Sequence, residues 1–172
     1  MREEISKALV EAYGDLTHPS YAFAARRLEQ GVHAETVQAV AREFVVDDQT
    51  SLGSDDVCIT LFVRPRDGAE QWTWSVQLSL VGDYAVVSQI GYAKAPWPII
   101  ASREPHEARL LAALRDAGIE LLSYGDLSEP TMFRPPNSDA AEVYTVYNAL
   151  FSDMTPLPVE PSTSNVGRKE DA

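Results

Sequence analysis

The chain has 172 residues, 45% hydrophobic and 23% charged, with 14 Lys and Arg against 26 Asp and Glu for a formal charge of −12. That length suits a single domain able to bury a core without metal or disulfide staples, and the lone Cys58 excludes an intrachain disulfide. So negative a field repels phosphate backbones and anionic lipid, which argues against nucleic-acid and membrane partners and for a basic protein partner, although solubility alone is a simpler reason for the charge.

Residues 3–13 predict a helix, with Ile5, Leu9, Ala12 and Tyr13 on one face, Glu3 and Glu4 in the first turn and Gly14 at its end. His18-Pro19-Ser20 reads as the start of a second helix. Its buried stripe would be Tyr21, Ala24, Ala25 and Leu28, and Gly31 would stop it. From Ala34 the spacing of Val37, Val40, Ala41 and Phe44 predicts a helix to about Arg42, followed by an extended exit through Val45 and Val46. Asp47 to Asp56 is polar and turn-rich, and is expected to be a loop.

Three strands then follow one another. Residues 57–64 are apolar at alternate positions and partly apolar between them, and Pro65-Arg66-Asp67-Gly68 is a turn signal. In the second strand, 71–81, Trp72, Trp74, Val76, Leu78 and Leu80 alternate with Thr73, Ser75, Gln77 and Ser79, which predicts one apolar and one polar face. Gly82-Asp83 suits a tight hairpin, and Tyr84 to Tyr92 is the third strand of an antiparallel meander spanning about 57–92. Pro96-Trp97-Pro98 is expected to be a rigid loop whose tryptophan packs over the sheet edge.

The clearest helix covers 103–117. Ser102 is one candidate cap and Glu104, with Pro105 following, is the other; Ala108, Leu110, Leu111 and Leu114 form the stripe and Gly118 the stop. Ile119 to Leu122 reads as a short strand of undetermined direction. Residues 125–138, with Pro130, Pro135 and Pro136, are expected to be irregular. Glu142 to Phe151 fits strand and helix alike, and its β-branched and aromatic content favours strand. The fold class is therefore α+β: N-terminal helices, a central meander, a packed helix and one or two further strands. A single globular unit is expected over 1–152, with a loosely ordered Pro-rich tail over 153–172.

Chemistry-bearing motifs are sparse. His33-Ala34-Glu35 matches the H-x-E of zinc deaminases but lacks the P-C-x-x-C partner, and His106-Glu107 has Leu110 where a zincin needs its second histidine. There is no G-x-S-x-G elbow, no phosphate-binding glycine loop, and Cys58 sits inside a strand where a thiol is ordinarily an inert hydrophobe. No catalytic residue, metal or cofactor is therefore expected. The N-terminal MREEISKALVEAYG lacks the apolar core of a signal peptide and no run of about 18 apolar residues exists, so the expected compartment is the cytoplasm.

Acidic residues are concentrated at Asp47, Asp48, Asp55 and Asp56, which flank one loop. Gly53 lies between them, but adjacent aspartates point apart and do not chelate as a calcium loop does. This group is the candidate contact for a basic partner. A second acidic group, Asp116, Glu120, Asp126 and Glu129, would extend it if both lay on one face. Trp72, Trp74, Tyr84 and Tyr92 would line either the core or a ligand pocket.

The stretch Tyr147-Asn148-Ala149-Leu150-Phe151-Ser152-Asp153, followed by Pro156-Leu157-Pro158, resembles the C-terminal end of some bacterial immunity proteins. That resemblance implies a non-enzymatic protein that neutralises a cognate toxin by covering its active site. It carries over no site residue, so Asp47, Asp48, Asp55, Asp56, Glu120, Asp126 and Glu129 are partner-binding candidates on charge alone. The alternative is a small-molecule-binding domain or enzyme with a cone-like helix-plus-curved-sheet pocket, in which a carboxylate or histidine performs acid–base work.

Overall fold

A computed structural model describes residues 1–51, 56–67, 71–91, 97–136 and 142–152. Three helices, α1 (Glu3–Tyr13), α2 (Ala22–Glu29) and α3 (Ala34–Glu43), precede β1 (Phe44–Asp48), β2 (Cys58–Pro65), β3 (Trp74–Ser79) and β4 (Tyr84–Gln89). Then come α4 (Pro105–Asp116), β5 (Glu120–Leu121), α5 (Tyr124–Ser128) and α6 (Val146–Leu150). The five strands form one sheet in the order β1-β2-β3-β4-β5. The first four pair antiparallel, and β5 runs parallel to β4 because α4 carries the chain back between them. The architecture is α+β, as the hydrophobic periodicities predict.

Cross-strand register sorts the sheet into two faces. Val46, Val63 and Trp74 share one face, as do Leu61, Val76 and Val87, and all of these except the half-buried Val46 are buried. Phe44 meets Trp74 edge-on at 6.0 Å on this face, and Arg109 of α4 lies over the Phe44 ring. The opposite face carries the polar positions of β3, and two of them are used inside the protein. Ser79 Oγ donates to the Leu150 carbonyl at 2.7 Å, and Tyr147 Oη donates to Gln77 Oε1, which docks α6 on the sheet. Behind α6, Tyr13 Oη donates to the Ala149 carbonyl and ties α1 to it.

Several elements differ from their sequence reading, each for a physical reason. Residues 142–151 do not form a strand. Thr145 and Asn148 make a capping box that starts α6, and all five helical residues are buried. Irregular structure over 125–138 is likewise interrupted by α5, which Ser123 and Asp126 cap reciprocally. Helix α2 begins at Ala22 rather than at Pro19, and buries Phe23 and Ala24 while Ala25 faces solvent. Glu104, not Ser102, caps α4 by accepting the Glu107 N–H, and Ala108 is exposed where Glu107 is buried. Asp47 and Asp48 belong to β1 and not to the loop. Finally, Thr73 N–H bonds the Val63 carbonyl although Val63 already opposes Trp74, so the alternation slips there. Trp72 is found instead beside Phe62 and under Arg64, half-buried and outside the core formed by Trp74, Val76, Leu78 and Leu80. Tyr92 and the 153–172 tail lie outside the described residues.

Candidate functional site

The acidic positions fall into two groups at opposite margins of the sheet. β1 and β5 are separated by four interstrand spacings, roughly 19 Å, so the two groups do not merge into one patch. Asp47 stands opposite Phe62, half-buried, and accepts a bond from Gln49 Nε2 at 2.5 Å. Asp48 is exposed, and its Oδ1 accepts the Thr50 N–H at 2.9 Å, which turns the chain as it leaves the strand. Both donors are neutral. Among the described residues no Lys, Arg or His lies within ion-pair distance of either carboxylate. Asp56 lies just ahead of β2, at the end of the sheet where β1 finishes, and forms an antiparallel bridge with Ser152. Asp55 lies outside the described residues.

At the β5 margin the carboxylates face cations of the same chain. Arg2 donates to Glu120 through both terminal nitrogens, at 2.5 and 2.8 Å, and stands 3.8 Å from Asp126. The Met1 amino group pairs with Glu129. The hydrogen bonds to Glu120 raise the Arg2 pKa further above its ordinary value. Burial alone would raise the Asp126 carboxyl; the Ser123 hydroxyl and N–H, with Arg2, outweigh it and hold Asp126 below the usual carboxylate value. Glu120, Asp126 and Glu129 therefore anchor the N-terminus to β5 and α5. Asp116 is exposed at the end of α4 and lines a groove instead.

The histidines and the cysteine have structural surroundings. His33 is buried at a left-handed position (φ 66°), and its Nε2 bonds the Ser79 carbonyl at 2.8 Å; a carbonyl only accepts, so Nε2 carries the proton. His106 Nδ1 faces Arg109 Nη2 at 2.6 Å, and since a guanidinium only donates, this ring nitrogen is the acceptor. His18 is exposed beside Asp15 and Thr17. Burial pushes the Cys58 thiol up to about 12, so it is protonated at neutral pH. Among the described residues no three His, Cys, Asp or Glu side chains converge as metal ligands.

Two depressions adjoin α4. The larger, about 920 Å³, is an open groove between α3 and the end of α4, with His33, Arg42, Asp83 and Asp116 among its walls. The smaller, about 380 Å³, lies at the start of α4 beside Trp74, Gln89 and Glu107. Sequence reasoning missed Glu107. Its side chain is 2% exposed and its carboxylate receives the Arg103 N–H at 2.7 Å and Arg103 Nη2 at 3.1 Å. A carboxylate spaced three and four residues before Leu110 and Leu111 was the available signal, since that spacing puts it on the buried face.

Trp97 packs edge-on against Tyr124 and Tyr147, and Ile99 N–H bonds the Val87 carbonyl along the outer side of β4. No described helix is long and apolar enough to cross a membrane. Comparison of the chain with protein-family models, with curated proteins and with solved structures returns no match.

Proposed function

We propose that this chain is a non-enzymatic acidic binding protein, an immunity protein that neutralises a cognate bacterial toxin by covering its active site. The contact is electrostatic and centres on the β1 end of the sheet. One observation carries the reading: Asp47 and Asp48 hold charge that no described cation offsets, while Glu120, Asp126 and Glu129 are spent on Arg2 and the N-terminus. Carboxylates left with neutral donors project their field into solvent, and with a net charge of −12 they steer a basic partner toward that margin. The partner surface is therefore narrower than the seven acidic residues read from the sequence. It is Asp47 and Asp48, with Asp55 and Asp56 in the connection that follows.

The test is co-expression with the product of the neighbouring gene, assayed for toxicity. Relief of toxicity and co-purification are the expected results, and failure of both for that pair removes the reading. The competing small-molecule reading draws on the groove that contains His33. There, the ring nitrogen bonded to the Ser79 carbonyl holds the groove wall in place. Toxin relief that survives His33→Gln favours the immunity reading over that one.

A further inference from the structure

We infer that β1 is an open sheet edge that receives an extended, basic segment of the protein partner as a sixth strand; this rests on the binding-protein reading above and names its geometry. Gln49 N–H bonds the Thr60 carbonyl at 2.8 Å, and Thr60 stands opposite Gln49 when the β1–β2 register is continued by one residue. In an antiparallel pair, directly opposed residues alternate between those that exchange main-chain bonds and those that do not. Counting back from Gln49, Asp47 and Val45 direct their N–H and C=O groups toward β2. Val46 and Asp48 direct theirs away from it. β1 ends the strand order, so among the described residues no strand meets these outward groups.

The side chains determine which strand can add. Asp47 shares a face with Phe62 and Asp48 shares the other with Leu61, so the two carboxylates straddle the edge. An incoming strand with Lys or Arg on either face gains a cross-strand ion pair with one of them. A second copy of this chain would bring Asp47 and Asp48 of both molecules into one short ladder, and like charges in register repel. The edge is thus closed to itself and open to a basic strand, a discrimination that uses repulsion as well as attraction. Main-chain bonds supply affinity and the aspartates supply selection.

The experiment is amide exchange by NMR on the full ¹⁵N-labelled chain, with a synthetic peptide of alternating lysine and valine as probe. The Val46 and Asp48 amides should exchange roughly tenfold more slowly with the peptide bound, while those of Val45 and Asp47, already in the β1–β2 ladder, should not change. The same peptide N-methylated at alternate residues cannot complete the ladder, and a glutamate–valine peptide is repelled, so neither should protect the edge. Protection that ignores the period of two, or that persists with the N-methylated peptide, overturns the inference. The two proposals fail separately. A toxin domain that binds and is neutralised while Val46 and Asp48 exchange freely contradicts strand addition and leaves the immunity reading standing. Edge protection by the peptide, with no toxin bound or neutralised, supports strand addition and removes the immunity reading.

Discussion

At the β5 margin Glu120, Asp126 and Glu129 meet Arg2 and the Met1 amino group, whereas at the β1 margin, among the described residues, Asp47 and Asp48 accept from the amides of Gln49 and Thr50 and meet no cation. Both margins are acidic in sequence. At β5 two cations offset most of the charge of three carboxylates, and the pairing holds the N-terminus against the sheet. At β1 the charge remains as an external field. Composition gives the total charge, and only the pairing determines how much of it a partner can feel.

A carboxylate at neither margin sets the scale of what an internally held charge is worth. Glu107 is buried and Arg103 is its cation, so Arg103→Ala removes the guanidinium and leaves the carboxylate only the main-chain N–H of residue 103. Arg103 is itself 43% exposed, so urea unfolding should show a loss of about 2 kcal/mol, the range of a hydrogen bond to a charged group, rather than that of a fully buried pair. A loss no greater than that of an ordinary surface substitution would mean that the pair is solvated and sets no such scale.

The next effect in size belongs to β1 and should appear in binding alone. Asp47→Asn with Asp48→Asn keeps the Gln49 and Thr50 bonds, since an amide oxygen accepts as a carboxylate does. Unfolding free energy should stay within about 0.5 kcal/mol of wild type. Association with the toxin domain should slow by roughly tenfold at low salt, and the difference should shrink as salt is added.

The β5 margin should behave in the opposite way. Arg2→Ala removes the shared cation of Glu120 and Asp126. Arg2 is 36% exposed and Glu120 46%, so solvent screens the pair and the loss at neutral pH should be at most about 1 kcal/mol, with association unchanged. The smallest effect is the pH dependence of that loss. Asp126 has a folded-state pKa below its unfolded value of 3.8, so its contribution is complete above that pH and disappears as pH falls through the folded value. The gap between wild type and Arg2→Ala should therefore narrow in unfolding curves taken below about pH 3.8.

What could be read from the sequence follows the range of the interactions involved. The meander and α4 were legible because alternation, the Glu104-Pro105 start and Gly118 act over a few residues. The helix-to-strand change near Arg42 was legible for the same reason, as α3 gives way to β1 at Phe44. The tight Gly82-Asp83 hairpin is not what forms: β3 ends at Ser79 and Leu78 opposes Ala85, so the connection to Tyr84 is longer than two residues. Residues 142–151 misled because β-branched content favours strand, while the capping box of Thr145 and Asn148, together with burial on all sides, favours a helical turn. The relation between the acidic groups was not legible at all. Arg2 and Glu120 lie 118 residues apart, and their pairing depends on β5 joining β4 in parallel at the far margin from β1. Local pattern carries no trace of that.

The most direct test of the account compares three proteins against one toxin domain: wild type, Asp47→Asn with Asp48→Asn, and Glu120→Gln with Asp126→Asn and Glu129→Gln. The measurement is the association rate as a function of ionic strength. Neutralising β1 should slow association and flatten its salt dependence, while neutralising the β5 margin should leave both as in wild type and register only as lost stability. Equal slowing by the two variants, or slowing by the β5 variant alone, would contradict the assignment of partner binding to the β1 edge.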